Sequence, residues 1–176
     1  AFTTTLYGMK SDVAFINGLL GNEQNNPEFN AAYTIAKEVG MDVSFAEVDD
    51  LTVGGMETVR IRMTDQSGFE MVVIGESIGG GAFKIHYIDD CPMDIHGTNY
   101  ELVVFLKKAS QSAAEDLAKK IAPQVESLND ICCVTGKAYS IINIKAGKEF
   151  SKELKVSLTA MSEVARLRSV APIHPI

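Results

Sequence analysis

Two hydrophobic periodicities alternate in the second half of the chain. Apolar residues at every second position, or in short runs rich in Val and Ile, indicate strands, whereas wider helical spacing indicates helices. One helix face carries Ala114, Leu117, Ile121 and Val125, although Pro123 is expected to kink that helix or end it early. The predicted elements are strand 101–106, helix 110–128, strands 131–134 and 139–144, a helix capped by Ser151, and strand 164–170. This β-α-β-β-α-β order is the split arrangement of ferredoxin-like folds.

The first half mixes helical and strand-like patterns. A Thr-rich strand is predicted at residues 2–7, and Ser11-Asp12 offers an N-cap for a helix over residues 13–20. Pro27 is expected to begin a second helix, which Gly40 ends. Further strands are predicted at 43–48, 58–63, 69–74, 82–88 and 91–95. We therefore expect an α+β protein with one domain over residues 1–96 and a second over residues 97–176, joined by a linker at 96–99.

The composition limits the possible partners. With 16 basic and 23 acidic residues, the net charge is −7 and the pI is near 5.0, which argues against nucleic acids and anionic membrane surfaces as partners. Hydrophobic residues make up 46% of the chain, as in ordinary soluble globular proteins, and no apolar stretch approaches the ~20 residues of a membrane span. We expect a cytoplasmic protein. Because the chain begins at Ala1 without Met, we also expect a processed or partial segment.

The three cysteines indicate a reducing compartment rather than a disulfide framework. Their number is odd, and Cys132 and Cys133 are adjacent. Neighbouring residues on a strand point to opposite faces, so this pair cannot face one metal ion. With Cys91 they also fall short of the four thiolates that usually hold an iron–sulfur cluster. We expect the adjacent pair to be small buried apolar residues and predict no metal site in this chain.

A glycine-rich motif over residues 75–81 is the most distinctive feature of the sequence. Ser77, Gly79, Gly80 and Gly81 are predicted to form a ligand site, because backbone N–H groups without a nearby Cβ approach an anion closely and Ser77 adds a hydroxyl. The alternative is a tight bend in which glycine supplies a positive φ. A dinucleotide fingerprint and a Walker loop are both excluded, because the glycines are contiguous, a strand follows them, and no Gly-Lys-Ser/Thr is present.

No catalytic residue can be assigned from the sequence. His86 lies within a predicted strand, where a surface or packing role is expected, and His96 lies in the linker, where an interdomain or ligand role is possible. His-x-x-His and His-Glu-x-x-His motifs are absent from the sequence. The acidic pairs at 49–50 and 89–90 are interpreted as solvated turns, and the lysine pair at 107–108 either attracts an anion or is a solvated cap.

The glycine motif and its surroundings resemble the β chain of the iron–sulfur-dependent L-serine dehydratases. The likeness extends in both directions and covers most of the chain. The segments that carry it, in the order shown by that family, are residues 6–8, 18–21, 36–41, 58–61 and 75–81. The half that follows looks like an ACT-type regulatory module. A related domain, also followed by an ACT module, occurs in some D-3-phosphoglycerate dehydrogenases, but the glycine motif is nearer that of the dehydratase.

The resemblance implies a reaction and a set of partners. Serine is dehydrated to aminoacrylate, which hydrolyses to pyruvate and ammonia. A [4Fe-4S] cluster acts as the Lewis acid, and its cysteine ligands belong to the α chain. We therefore expect an α-subunit partner, a homodimer through the ACT-like half, a small amino or hydroxy acid as ligand, and no cofactor in this chain. A stand-alone small-carboxylate-binding module and the regulatory tail of a phosphoglycerate-dehydrogenase-like enzyme are the alternatives.

The sequence departs from the family in three places. A Ser-Ser-Ser-His-Thr segment and a Lys-Gly-His-Gly-Thr-Asp loop are missing; Gly8 is followed by Met9-Lys10-Ser11-Asp12 instead. The Asp-x-Pro-Gly that ends the first strand of many ACT modules is replaced by residues 107–110. We accordingly expect the isolated chain to be inactive.

Overall fold

The computed structural model of this chain describes residues 5–23, 25–51 and 53–173. It contains two compact units, Ala1–Glu57 and Thr58–Ile176. The predicted domain boundary at residues 96 and 97 lies inside the second unit and stays a prediction.

The first unit is a small helical assembly. It contains helix α1 (Ser11–Leu19), a short 3-10 helix (Phe29–Ala31) and helix α2 (Ala32–Glu38). Its core consists of Ile16, Ala32 and Ala36, with partly buried apolar residues at 13, 20, 41, 43 and 45 packed against them. Asn17, which is buried, adds polar contacts to this small apolar core. Its side-chain amide donates to the carbonyls of Val13 and Phe29, at 3.0 and 2.9 Å.

Several predictions for the first unit are wrong in detail. Both helices exist, but the cap of α1 is Lys10, whose φ of 56° lies in the left-handed region, and no side chain caps the helix. Residues 2–4 of the predicted first strand lie outside the described residues, and residues 6 and 7 form a turn instead, because Ser11 N–H donates to the Leu6 carbonyl. The second helix begins as a 3-10 turn at Phe29 rather than at Pro27. The strand predicted at 43–48 is absent; Val43 and Phe45 pack against the helices from an irregular segment.

The second unit begins with a four-stranded antiparallel meander. Its strands are β1 (Thr58–Thr64), β2 (Glu70–Gly79), β3 (Ala82–Ile88) and β4 (Cys91–Ile95), which pair in chain order. These strands match the predictions at 58–63, 69–74, 82–88 and 91–95, of which only the first rests on an alternating pattern, and β2 extends further than expected. Bulges interrupt the pairing of β2 with β3 at residues 74–75 and 77–79, and that of β3 with β4 between residues 85 and 87.

A second antiparallel sheet follows with two helices. The elements are β5 (Tyr100–Leu106), α3 (Gln111–Ile121), a 3-10 turn (Ala122–Gln124), β6 (Leu128–Thr135), β7 (Ser140–Ala146), α4 (Lys152–Thr159) and β8 (Val164–Val170). The strands lie in the order β6-β7-β5-β8. The predicted cap of α4 is confirmed, because Ser151 Oγ accepts from Leu154 N–H at 3.2 Å. Helix α3 ends before Pro123, much earlier than residue 128, because proline cannot donate the next helical hydrogen bond.

The second sheet is covered on both faces. Helices α3 and α4 pack on one face around Leu102, Val104, Ile142 and Ile144. The opposite face contributes Val103, Phe105 and Ile141 to another core, which the first sheet completes with Ile88, Cys91, Met93 and Ile95. The α+β class is therefore confirmed, with a helix layer and two sheet layers in this unit. Within the described residues, no helix has both the length and the apolar character needed to cross a membrane.

Candidate functional site

The glycine-rich motif forms the hairpin between β2 and β3. Gly79 pairs with Ala82, so Gly80 and Gly81 are the two residues of the turn. Their φ angles are 62° and 82°. A two-residue hairpin turn with both central φ values positive is of type I′, which matches the twist of the flanking strands. The tight-bend interpretation therefore accounts for these two glycines without any ligand.

The predicted ligand-binding residues all lie at this hairpin and are exposed to solvent. Ser77 and Gly79 end β2, two residues apart, and Ser77 pairs with Phe83 of β3. A Cβ atom added at Gly79 or Gly80 would meet no other heavy atom within 4 Å. The structure thus brings Ser77, Gly79, Gly80 and Gly81 together at an open tip rather than in an enclosed cavity. Their role in ligand binding stays a prediction.

A carboxylate–imidazole pair lies next to the hairpin on the same two strands. Glu76 Oε2 and His86 Nε2 are 2.8 Å apart, and their side chains are 17% and 19% exposed. His86 is located at the bulge in the pairing of β3 with β4, one residue beyond Ile85. The histidine expected to have only a surface or packing role is therefore held by a specific hydrogen bond.

Asp94 of β4 is the centre of a larger charged cluster. Its Oδ1 lies 3.0 Å from Lys84 Nζ and 2.8 Å from His96 Nε2. Lys145 of β7 approaches from the second sheet and donates to the Asp94 carbonyl at 2.5 Å, with its Nζ also 3.4 Å from Oδ2. The hydrogen bond with Lys84 and, to a smaller extent, the hydrogen bond with His96 hold the pKa of the Asp94 carboxyl well below its usual range. His96 of the predicted linker therefore binds a residue of its own strand end.

Glu101 is fully buried beside this cluster. It pairs with Lys145 in the register of β5 and β7, and its Oε2 accepts from Asn143 Nδ2 at 2.9 Å. The other carboxylate oxygen, Oε1, has no hydrogen-bond partner among the described residues. Burial raises the pKa of Glu101, although the hydrogen bond from Asn143 and the nearby Lys145 charge oppose the shift. A carboxyl group in this setting favours its neutral, protonated form.

Sequence reasoning missed this cluster, although part of its signal was present. Glu101, Val103 and Phe105 share one strand face, so a carboxylate occupies the first position of an otherwise apolar face. Asp94 and His96 are two residues apart, a spacing that places both side chains on one face of an extended strand; this is a second signal. Lys145 could not have been connected to them from the sequence, since 51 residues separate it from Asp94.

The cysteines do not fit an iron–sulfur cluster. Cys91 is buried in the core between the sheets, where burial raises its pKa to about 11. Cys133 packs against the helix-facing core, and burial raises its pKa to about 11 as well. Cys132, expected to be buried, is exposed and lies on the opposite face of β6 from Cys133. Among the residues that the structure describes, no group of three His, Cys, Asp or Glu side chains is placed to hold a metal ion.

The fold defines a class: an α+β protein with two stacked antiparallel sheets. No family model matches the chain. It is 31% identical over 97 residues to the L-serine dehydratase, beta chain, of Peptoniphilus asaccharolyticus, covering 55% of this chain and 44% of that protein. It is also 31% identical over 104 residues to a probable L-serine dehydratase, beta chain, of Bacillus subtilis strain 168, covering 59% of this chain and 46% of that one.

These matches confirm the predicted resemblance to dehydratase β chains. The chain spans less than half the length of the curated relatives it matches.

Proposed function

We propose that this chain is a β subunit, or the regulatory part, of an iron–sulfur L-serine dehydratase that converts L-serine to pyruvate and ammonia. The main observation that supports this proposal is the similarity of the chain to two curated β chains of that enzyme. The [4Fe-4S] cluster belongs to an α partner in this proposal, because the thiols of Cys91, Cys132 and Cys133 do not fit a cluster. The cluster supplies Lewis-acid chemistry at the serine hydroxyl. This chain contributes assembly and ligand binding.

Anaerobic co-expression with an α chain of the same organism tests the proposal. The tagged chain should co-purify with the α chain in a complex that contains iron and produces pyruvate from L-serine. The chain purified alone should be colourless and inactive. Stoichiometric iron–sulfur absorption in the chain alone would contradict the division of roles, and failure to associate with the α chain would contradict the subunit assignment.

We propose further that residues 97–176 form an ACT-type module and pair as a homodimer. The β-α-β-β-α-β order and the antiparallel order β6-β7-β5-β8 support the module assignment, since both are features of ferredoxin-like folds. Strands β6 and β8 each have one edge to which no strand of the described residues pairs, and such an edge is a template for another chain. Sedimentation equilibrium should give a dimer mass; a monomer mass at high micromolar concentration would contradict the pairing.

The hairpin tip is proposed as the site for a small amino or hydroxy acid. The Ser77 hydroxyl and the backbone N–H groups of Gly79, Gly80 and Gly81 would bind its carboxylate by charge-assisted hydrogen bonds. The exposure of all four residues supports access by a ligand.

A further inference from the structure

A surface depression of about 470 Å³ lies in the second unit, far along both strands β2 and β3 from the glycine hairpin. The start of β2, the turn between β3 and β4, the loop between β6 and β7, and strand β8 all contribute to its wall. Its volume is within the range of small-molecule sites. Four separate segments of the chain therefore converge on one concave surface.

Arg166 provides the most distinctive group in this wall. Its guanidinium carbon lies 3.5 Å from the centroid of the Phe69 ring and 5.0 Å from that of Phe105. Asp65 fixes the turn that presents Phe69, because its Oδ1 accepts from the N–H of Phe69 and of Ser67, at 3.1 and 2.8 Å. The stacked guanidinium forms no ion pair with any carboxylate in the described parts of the chain. The aromatic contacts thus hold the planar guanidinium of Arg166 in one orientation. Its N–H donors form no ion pair with a carboxylate of the described residues.

Two of the carboxylates in the wall already have structural roles. Asp89 accepts from Val72 N–H at 2.7 Å and from the Tyr139 hydroxyl, and Asp90 accepts from Lys137 N–H at 2.7 Å. Burial and the hydrogen bond to Asp89 raise the pKa of Tyr139, so its hydroxyl stays protonated as a donor. Both carboxylate oxygens of Asp89 accept hydrogen bonds within the protein, whereas only Oδ2 of Asp90 accepts one of these bonds.

Glu70 adds a further carboxylate and is exposed at the start of β2. The wall therefore combines the cations Arg166 and Lys137 with the anions Glu70, Asp89 and Asp90. A simple anion would meet an excess of negative charge here, whereas a simple cation would face the guanidinium. A small molecule carrying both charges matches the wall better than either.

We propose that this depression binds a free α-amino acid. Arg166 binds the α-carboxylate through the paired donors of its guanidinium, and Glu70 together with Asp90 attracts the α-ammonium group. The site is separate from the glycine hairpin, and its recognition of an amino acid follows from the charges of its own wall. Only the choice of L-serine as a first probe rests on the proposed function.

The test uses the full chain, without an α partner, in two steps. Thermal-shift measurements with the standard L-amino acids, beginning with L-serine, should find at least one that raises the melting temperature. Calorimetric titration of that amino acid should then show binding that weakens at least tenfold when its ammonium or its carboxylate is removed. For L-serine, the corresponding analogues are 3-hydroxypropionate and ethanolamine. If no amino acid binds, or if the carboxylate analogue binds equally well, the proposal is wrong.

Four variants assign the binding to this site. Arg166→Gln should weaken binding at least about tenfold, as expected for loss of a charged hydrogen-bond pair. Arg166→Lys should weaken binding while keeping the charge, because lysine lacks the planar pair of donors. Glu70→Gln should weaken binding of the amino acid but not of its analogue without the ammonium group. Arg168→Gln, which removes an exposed cation from the same strand, should bind like the unmodified chain.

The outcomes separate this proposal from the others. Loss of binding on substitution of Gly80 but not of Arg166 would place the amino acid at the hairpin and overturn the inference. Binding that depends on Arg166 supports the inference even when the chain fails to associate with an α chain, because the measurement requires no dehydratase activity.

Discussion

At the residue scale, two carboxylates near Lys145 show how burial decides the behaviour of an acidic side chain. Asp94 is largely exposed and surrounded by cations, which lower its pKa. Glu101 is fully buried with one orphan oxygen, and burial raises its pKa. The sequence shows both as single acids in strands. The opposite pKa shifts of these two acids depend on which strand face meets the other sheet. That arrangement depends in turn on packing between segments far apart in the chain.

Glu101→Gln should remove a pH-dependent loss of stability. A raised pKa in the folded state means that the folded chain holds a proton that the unfolded chain has released. The contribution of Glu101 is therefore fully present below the unfolded pKa of about 4.3 and is lost as the pH rises through the folded value. As the pH rises, the free energy of unfolding of the Gln variant should increase relative to that of the unmodified chain, by about 1 kcal/mol at neutral pH.

Denaturant titrations between pH 4 and pH 8 would measure this difference. Glu115→Gln removes an exposed carboxylate from helix α3 and serves as the control, with no gain expected. An unchanged pH dependence in the Glu101 variant would contradict the account of this buried acid.

Asp94→Asn should have a smaller effect with the opposite pH dependence. A lowered pKa in the folded state contributes stability above the unfolded pKa of about 3.9, and this is lost as the pH falls below that value. Because 61% of the Asp94 side chain is exposed, solvent screening limits the expected cost at neutral pH to about 0.5–1 kcal/mol. The cost should shrink in 1 M salt; urea titrations at low and high salt would show whether it does.

At the scale of elements, local sequence rules succeed where the local signal matches the packing. The strands follow either from alternating positions, as in β1, or from apolar runs rich in Val and Ile, as in β5 and β7, and Ser151 caps α4 as its position predicts. In the first unit, Ser11-Asp12 has the chemistry of a cap, yet Asp12 is buried and accepts from the Tyr33 hydroxyl at 2.7 Å. Because the Asp12 side chain forms this tertiary hydrogen bond, it does not cap the helix, which begins after Lys10 instead. The sequence cannot reveal such competition, because the partner lies 21 residues away.

Substitutions of Gly80 separate turn formation from ligand binding. Gly80→Val should destabilise the fold by about 1–2 kcal/mol, because φ of 62° is unfavourable for a β-branched residue, whereas open space around the site means no steric clash. Gly80→Asn should cost little, because Asn tolerates this conformation. Denaturant titration measures both variants.

Calorimetric titration of serine and related acids completes the comparison. The hairpin proposal expects Gly80→Val to abolish binding by displacing the backbone N–H groups, while Gly80→Asn preserves it. Equal binding by both variants would show that the hairpin is only a turn.

At the scale of the whole molecule, the core between the two sheets is the main feature that the sequence did not reveal. Strands β5 and β7 are buried along nearly their whole length, so their sequences do not indicate which face meets the first sheet and which meets the helices. Residues on both sides of the predicted boundary at 96 and 97 contribute to that core; they include Ile88, Cys91, Met93, Ile95, Val103, Phe105 and Ile141. Gly97 at the connection has a φ of 69°, and a Cβ there would lie 2.6 Å from the Phe83 ring. The sheets are thus closely packed beside their linker.

Removal of the first sheet should expose the second. A fragment of residues 97–176 would place Val103, Phe105 and Ile141 in solvent, so it should bind a hydrophobic dye and aggregate. A fragment of residues 58–176 retains both sheets and is the matched control, expected to remain compact. Dye fluorescence and light scattering of the two fragments would test this. Cooperative unfolding of both fragments with equal stability would support independent domains on either side of residue 97.

The shared core also sets an order of events during synthesis. The ribosome produces the first sheet before the strands that cover it, and translation from Ile95 to Ile141 takes roughly 2–9 s. Until Ile141 is synthesised, the apolar side of the first sheet is covered at most by Val103 and Phe105 of β5. We therefore expect the nascent chain at this stage to bind chaperones, and neighbouring nascent copies on one messenger RNA to pair through the uncovered surface.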